Sequence, residues 1–201
     1  MVSMSKTIGV LDLQGAVSEH IRALKKIGAN AVSVKKAEDF DNLDGLIIPG
    51  GESTAIGRLI REQKLEERLR SFYSSGKAIF GTCAGLILCS TDESHTTDDL
   101  RLGFIDMEVE RNGFGRQVAS FETALEFAGI DHPVEAVFIR APYIQSVGLD
   151  VKVLATFDDK IVAAEQGNVL VTAHHPELTE DYAVLNYFLK KISQTIKVRE
   201  S

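Results

Sequence analysis

The feature that most limits how this chain can fold is a change of pattern halfway along it. Through the first half, short apolar runs alternate with segments of helical periodicity. Residues 8–13, 31–34, 46–48 and 78–80 read as strands, while 18–27, 54–60, 64–73 and a segment beginning at Ala84 read as helices. Gly28 stands just past the first helix, where a residue of positive φ ends the last turn. Strands separated by helices imply a parallel sheet covered on both faces. In the second half, 107–109, 118–121, 134–139, 151–157, 161–165 and 169–173 are strand-like with few helices between them. That pattern adds an antiparallel extension to the parallel core. A helix over 181–196 closes the chain, with Ala183, Leu185, Phe188, Leu189 and Ile192 as its expected buried stripe. With no repeat, low-complexity tract or linker, the expectation is one α/β domain over 1–201.

Composition narrows the function classes. The net charge of −7 (22 basic against 29 acidic residues) and the lack of any Lys/Arg run longer than a dipeptide argue against a nucleic-acid partner. No apolar stretch approaches the ~20 residues that span a bilayer, and the first residues carry no secretory pattern. Met4 is an alternative start, with Met1, Val2 and Ser3 as an extension. Two cysteines, Cys83 and Cys89, cannot build a disulfide framework and lack metal-site or redox spacing. A reducing cytoplasm is the expected setting, with no metal.

The segment richest in chemistry is Ala78-Ile79-Phe80-Gly81-Thr82-Cys83-Ala84-Gly85-Leu86. An apolar strand runs through Gly-x-Cys-x-Gly into a helix, the thiol counterpart of the Gly-x-Ser-x-Gly turn that lifts a nucleophile off a sheet edge. Small residues two before and two after the nucleophile let backbone segments approach closely. A helix N-terminus beneath Cys83 favours the thiolate, and the Ala84 N–H would face a developing oxyanion. The alternative is a small buried cysteine in a glycine-rich turn; that reading is the expected one for Cys89, which has no glycine frame.

A nucleophilic thiol needs a base, and the base needs a group to fix its tautomer. Of His20, His95, His132, His174 and His175, only the last two follow a strand and run into Pro176-Glu177. Proline biases the preceding residue toward extended geometry. In an extended run His175 and Glu177 share a side and His174 faces the other, which selects His175 as base and Glu177 as its orienter. The competing reading is a solvated His-Pro turn.

Ile48-Pro49-Gly50-Gly51-Glu52-Ser53-Thr54 is a third strand-to-loop element. Its glycines let backbone N–H groups approach a ligand, and Ser53 or Thr54 is expected to cap the next helix. The phosphate-loop pattern is absent, and Gln14-Gly15-Ala16 lacks the spacing of a dinucleotide turn, so no cofactor is expected. Carboxyl ends of strands hold ligands in open α/β sheets. Cys83, Gly50, Gly51, Ser53 and Gln14 therefore share one crevice, where an amide near Gly51 would be the second oxyanion donor beside Ala84.

Together these segments resemble class I (triad-type) glutamine amidotransferases, and among them the glutaminase subunits of pyridoxal 5'-phosphate synthases. The likeness runs through Leu13-Gln14-Gly15-Ala16-Val17 with Glu19-His20, Pro49-Gly50-Gly51-Glu52-Ser53-Thr54, and Phe80-Gly81-Thr82-Cys83-Ala84-Gly85-Leu86. It continues in Glu110-Arg111-Asn112, Phe114-Gly115-Arg116-Gln117, Ser120-Phe121-Glu122, Phe138-Ile139-Arg140-Ala141-Pro142 and His175-Pro176-Glu177-Leu178-Thr179. The resemblance implies a flavodoxin-like three-layer α/β/α fold, with a mostly parallel central sheet and a smaller antiparallel extension. It implies a triad of Cys83, His175 and Glu177, with glutamine held by Gly51, Glu52, Ser53, Arg111, Ile139 and Arg140. A guanidinium suits the carboxylate of a free amino acid, although Arg111 and Arg140 read alone are ordinary surface ion-pair residues. It further implies that ammonia passes to a (β/α)8-barrel synthase subunit in a hetero-oligomeric complex, and that the glutaminase is poorly active until docked. Residues 14–20, beside the crevice, are the expected docking region; the alternative is an ordinary strand-helix connection.

Three positions depart from the family pattern: His174 replaces an aromatic residue, Gly113 an alanine or serine, and Asp12 a small residue. Two rival readings remain. One is the same chemistry serving another synthase, such as one forming imidazole glycerol phosphate. The other is a non-catalytic redox sensor built on an elbow cysteine.

Overall fold

The computed structural model describes residues 5–91, 99–115 and 119–201. His95, the Arg116 and Gln117 of the sequence motif, Val118 and the first residues from Met1 to Met4 lie outside the described residues. In chain order the elements are β1 (Thr7–Leu11), α1 (Val17–Lys26), β2 (Asn30–Val34), β3 (Gly45–Ile48), α2 (Ser53–Glu62), α3 (Glu66–Ser74), β4 (Ala78–Thr82) and α4 (Ala84–Cys89). The second half supplies β5 (Met107–Glu110), β6 (Ser120–Leu125), β7 (Val134–Ile139), β8 (Tyr143–Val147), β9 (Lys152–Phe157), β10 (Lys160–Gln166), β11 (Val169–Thr172) and α5 (Ala183–Glu200).

Five strands pair in parallel in the order β2-β1-β3-β4-β11. This is the doubly wound order of flavodoxin-like sheets, whose ligand crevice opens at the carboxyl ends of the strands. Beyond β11 the direction reverses: β10, β8 and β5 follow antiparallel, and β9 adds to β10. The expected mostly parallel core with an antiparallel extension is therefore present. β6 and β7 form a separate hairpin off the main sheet.

The layering follows from the two-residue period of a strand. In β4, Phe80 faces α5, where its ring lies 5.3 Å from that of Phe188. Its neighbour Gly81 faces the other way, onto α4; a Cβ there would come within 2.5 Å of the Gly85 carbonyl oxygen. Helices thus cover both faces, and β3, β4 and β11 are buried throughout their length. Phe80 and Phe188 are both fully buried, so truncating either to alanine removes roughly 3–5 kcal/mol of packing.

The structure revises three expectations. β8 was not anticipated, because its Tyr-Ile-Gln-Ser-Val run buries only Ile144 deeply and no apolar alternation marks it. α5 begins at Ala183, after Asp181, whose carboxylate accepts the Ala183 N–H at 3.0 Å. On that helix Val184 and Lys191 are buried, whereas Ala183 and Leu189 are only partly so. Lys191 can be buried because its ammonium donates to Glu165 Oε2 at 2.9 Å.

Candidate active site

Three loops leave adjacent parallel strands on the same edge of the sheet. The β3–β4 register sets Ile48 beside Gly81, and the β4–β11 register sets Thr82 beside Thr172. Chain segments 49–52, 83 and 173–177 therefore emerge side by side. The Cys83 N–H donates to the Thr172 carbonyl at 2.8 Å, tying the elbow to the strand that delivers the histidines.

Cys83 holds the strained backbone of an elbow, with φ 51° and ψ −103°. Positive φ in a non-glycine residue costs of order 1 kcal/mol or more and persists where its surroundings enforce it. Here the surroundings are backbone. A Cβ on Gly85 would lie 2.0 Å from the Ile48 carbonyl oxygen, so α4 sits directly on β3. Ala84 is the first residue of α4, where N–H groups lack intrahelical partners. The helix is only six residues long, so these local N–H groups matter more than any extended dipole.

His175 and Glu177 meet as expected, by a different backbone route. The extended run gives way after His175 to a 3-10 turn over Pro176–Leu178, with Pro176 at its first position. The His175 N–H donates to the Val137 carbonyl at 2.8 Å, and the imidazole Nδ1 lies 2.6 Å from Glu177 Oε1. Nε2 is thereby left free of Glu177, and the ring shares its place against Gly50 with Cys83. Burial works against the imidazolium, but the bonds to Cys83 and Glu177 and their negative charge push the His175 pKa up to about 10. Burial also opposes the Glu177 carboxylate, which the facing His20 and the bond from His175 nevertheless hold below its ordinary pKa.

His174 turns away. It is fully buried against Phe138, with ring centroids 5.8 Å apart, and neither ring nitrogen finds a hydrogen-bond partner. Burial pulls its pKa down to about 4. The sequence choice between the two imidazoles matches this geometry, and His174 occupies an aromatic-like niche.

Gly50 lies against both reacting side chains. A Cβ there would reach within 2.5 Å of His175 Cε1 and 3.2 Å of Cys83 Cβ. The Gly50 carbonyl accepts the Ala16 N–H at 2.9 Å, and the Glu52 N–H donates to Gln14 Oε1 at 2.8 Å, so the loops after β1 and β3 are latched together. Gly51 sits in this latch, its Cα facing Gln14 and Gly15. The cap of α2 differs from expectation. Glu52, extended at φ −103° and ψ 113°, accepts the N–H groups of Thr54 and Ala55 with its carboxylate at 3.0 and 2.8 Å. Its longer side chain spans two donors, which frees Ser53.

Ser53 Oγ instead lies 3.0 Å from Arg111 Nη2, which also pairs with Asp99 at 3.1 Å. Asp99 escaped the sequence reading because nothing in its local pattern marks it. From β7, the Ile139 carbonyl lies 3.9 Å from Cys83 Sγ, and Arg140 follows, exposed, at φ 43°. His20 was passed over as a base and assigned to the docking region, yet it is wholly buried between Thr82 and Glu177. The signal for it was a histidine on the apolar stripe of α1, beside Val17, Ala23 and Leu24.

Gly113 has a plain reason. The Tyr143 ring fills the space a side chain would need, with Cδ1 2.1 Å from the position of a Cβ. Among the described residues no three metal-binding side chains cluster, and no helix is long and apolar enough to cross a membrane. A cavity of about 550 Å³ beside β6 and β7 is lined by Glu122, Glu135 and Glu180 and contains neither Cys83 nor His175. Three carboxylates make it a poor home for an amino-acid carboxylate.

This arrangement of thiol, imidazole, carboxylate and glycine loop coincides with a family match over residues 10–194. The chain belongs to the SNO glutamine amidotransferase family. Among curated relatives of this family, it is 56% identical to the pyridoxal 5'-phosphate synthase subunit PdxT of Oceanobacillus iheyensis, over 92% of this chain and 93% of that protein. It is 54% identical to the subunit of the same name from Niallia circulans, over 93% and 98% of the two chains. A solved glutamine amidotransferase superposes with a TM-score of 0.88 at 46% identity, covering 92% of this chain and 98% of that one. The solved structure of PurLQS from Thermotoga maritima, at 16% identity and TM-score 0.68 over 98% of this chain and 100% of that one, shares the fold alone.

Proposed function

We propose that this chain, as one glutaminase domain over 1–201, hydrolyses L-glutamine to L-glutamate and ammonia for pyridoxal 5'-phosphate synthesis. The observation that carries the reading is the His175 imidazole held by Glu177 at 2.6 Å while its ring and Cys83 lie together against Gly50. The thiolate attacks the side-chain amide carbon, forming a C–S bond. The His175 imidazolium gives its proton to the departing nitrogen, so ammonia leaves and a glutamyl thioester remains. Water, deprotonated by His175, then displaces the thiolate and releases glutamate. N–H groups at Ala84 and Gly51 hold the oxyanion; losing one such donor typically costs about a hundred- to a thousandfold in rate.

Arg111, Arg140, Ser53, Glu52, Gly51 and the Ile139 carbonyl are the proposed glutamine contacts. Support comes from Arg111, whose buried Nε has no hydrogen-bond partner and is free to meet a substrate carboxylate. The relatives' names make them subunits of pyridoxal 5'-phosphate synthase, which supports a synthase partner; in this reading ammonia is delivered to a (β/α)8-barrel synthase subunit in a hetero-oligomeric complex, and the chain is poorly active alone. Glutamate release measured with and without that synthase subunit tests the reading. Strong activation is expected; no release in either case would sink it, and equal rates would remove the activation. Labelling of Cys83 by a glutamine-mimicking electrophile, blocked by glutamine, separates this reading from a redox sensor.

A further inference from the structure

Glu177 has two carboxylate oxygens, and the proposed triad uses one. Oε1 holds His175. Oε2 is buried and faces His20 Nε2 at 3.4 Å, while the same nitrogen lies 3.1 Å from Thr82 Oγ1. His20, Thr82 and Glu177 come from α1, β4 and the turn after β11, and none is more than 7% exposed. The hydrogen positions follow from elimination. His20 Nδ1 has no partner, and a buried N–H left unpaired is costlier than a bare lone pair among apolar neighbours. The proton therefore sits on Nε2, which pairs with the Thr82 hydroxyl and turns its positive end toward Glu177 Oε2, an oxygen 3.4 Å away that has no hydrogen-bond partner of its own.

We propose that His20 is a positioning residue: through its neutral Nε2–H it fixes the second oxygen of Glu177, and thereby the angle at which Glu177 presents His175 to Cys83. The inference rests on Cys83, His175 and Glu177 acting together as proposed above. A neutral donor suits this place because it steadies the carboxylate without competing for the His175 proton. Burial lowers the His20 pKa despite the attraction of Glu177, which keeps the ring neutral. The charged groups facing His20 are Glu177 and His175 from the turn after β11 and Glu19 from its own helix. Without the Nε2–H, the buried carboxylate loses the positive end of the dipole facing its unpaired oxygen and takes up a proton at higher pH. Glu177 then releases His175 at a pH where the wild type is still active.

The test compares the wild type with His20→Leu, which has no donor, and His20→Gln, whose amide nitrogen can reach the Nε2 position. Glutamate release is followed against pH in the complex with the synthase subunit. His20→Leu is expected to lose about ten- to a hundredfold in kcat, with KM within about twofold. The acid limb of its profile should move up by about one pH unit, and His20→Gln should restore most of both. If His20→Leu does not fold, His20→Met takes its place. A leucine or methionine variant with wild-type kcat and profile overturns the proposal. So does equal impairment of the donor and donorless variants with an unmoved acid limb, which would mean packing alone. Alkylation of Cys83 by iodoacetamide against pH, read by peptide mass, provides a second arm. If even the wild type releases no glutamate, the glutaminase reading fails, and an acid-limb shift in this alkylation profile still decides the role of His20.

Discussion

In β3, β4 and β11 every residue is buried, whereas β7 alternates buried residues with exposed or half-buried ones and β6 buries only Leu125. Both regions reach the same cleft, and they bring different things to it. The parallel strands deliver Cys83, Gly50 and His175 through backbone held on both faces by helices. The antiparallel half delivers Arg111 from the end of β5, and the Ile139 carbonyl and Arg140 from the end of β7. In the proposed mechanism the reacting atoms thus sit where the backbone cannot shift, and the proposed substrate contacts sit where side chains still face solvent. The comparison predicts that changes in the parallel half strike kcat or folding, and that changes in the antiparallel half strike KM.

The largest expected effect is Cys83→Ala, which should lower glutamate release at least about 10⁴-fold while leaving the melting temperature near that of the wild type. Retained turnover would break the contrast at its centre. Gly85→Ala comes next. Its Cβ meets the Ile48 carbonyl oxygen at 2.0 Å, so β3 and α4 must part, at a cost of roughly 3–5 kcal/mol in a denaturant titration. A variant with unchanged stability would show the elbow to be softer than its packing implies.

His174→Phe sharpens the comparison from the boundary between the two regions. A histidine held neutral with a pKa near 4, against 6.5 when unfolded, adds no titration penalty above pH 6.5 and destabilises the fold increasingly as pH falls toward 4, because the unfolded chain then binds the proton more readily. The difference between 6.5 and about 4 corresponds to roughly 3 kcal/mol. The phenylalanine variant should therefore melt higher, and its advantage should widen between pH 6.5 and 4; parallel curves would sink the assignment. The smallest effect is expected in the antiparallel half. Arg111→Lys keeps a charge but loses the planar fork, so KM for glutamine should rise about tenfold with kcat within about threefold. A fall in kcat alone would move Arg111 into the reacting machinery.

Much of this could be read from the chain. Gly81-x-Cys83-x-Gly85 after an apolar run specifies an elbow because its glycines answer a local steric demand, and the structure puts backbone atoms where their side chains would be. The pairing of His175 with Glu177 was legible because two residues of spacing across Pro176 leave them few arrangements, even though the turn proved to be 3-10 rather than extended. β8 was less legible, since a strand paired on both edges in an otherwise polar extension needs little apolar alternation of its own.

By itself, then, the sequence determined the alternation that makes a parallel sheet and the glycine-framed thiol at its edge, because steric fit and burial periodicity act over a few residues. It also placed His175 and His174 on opposite sides, which is how the structure has them. Only the tertiary structure decided that His20 lies under Glu177, that Asp99 holds Arg111, and that Glu52 rather than Ser53 caps α2. The first two join groups well separated along the chain, and the third depends on which side chain Arg111 occupies. Long-range polar pairing of that kind leaves no period in the chain, and it comes into being only when separate strands and helices pack.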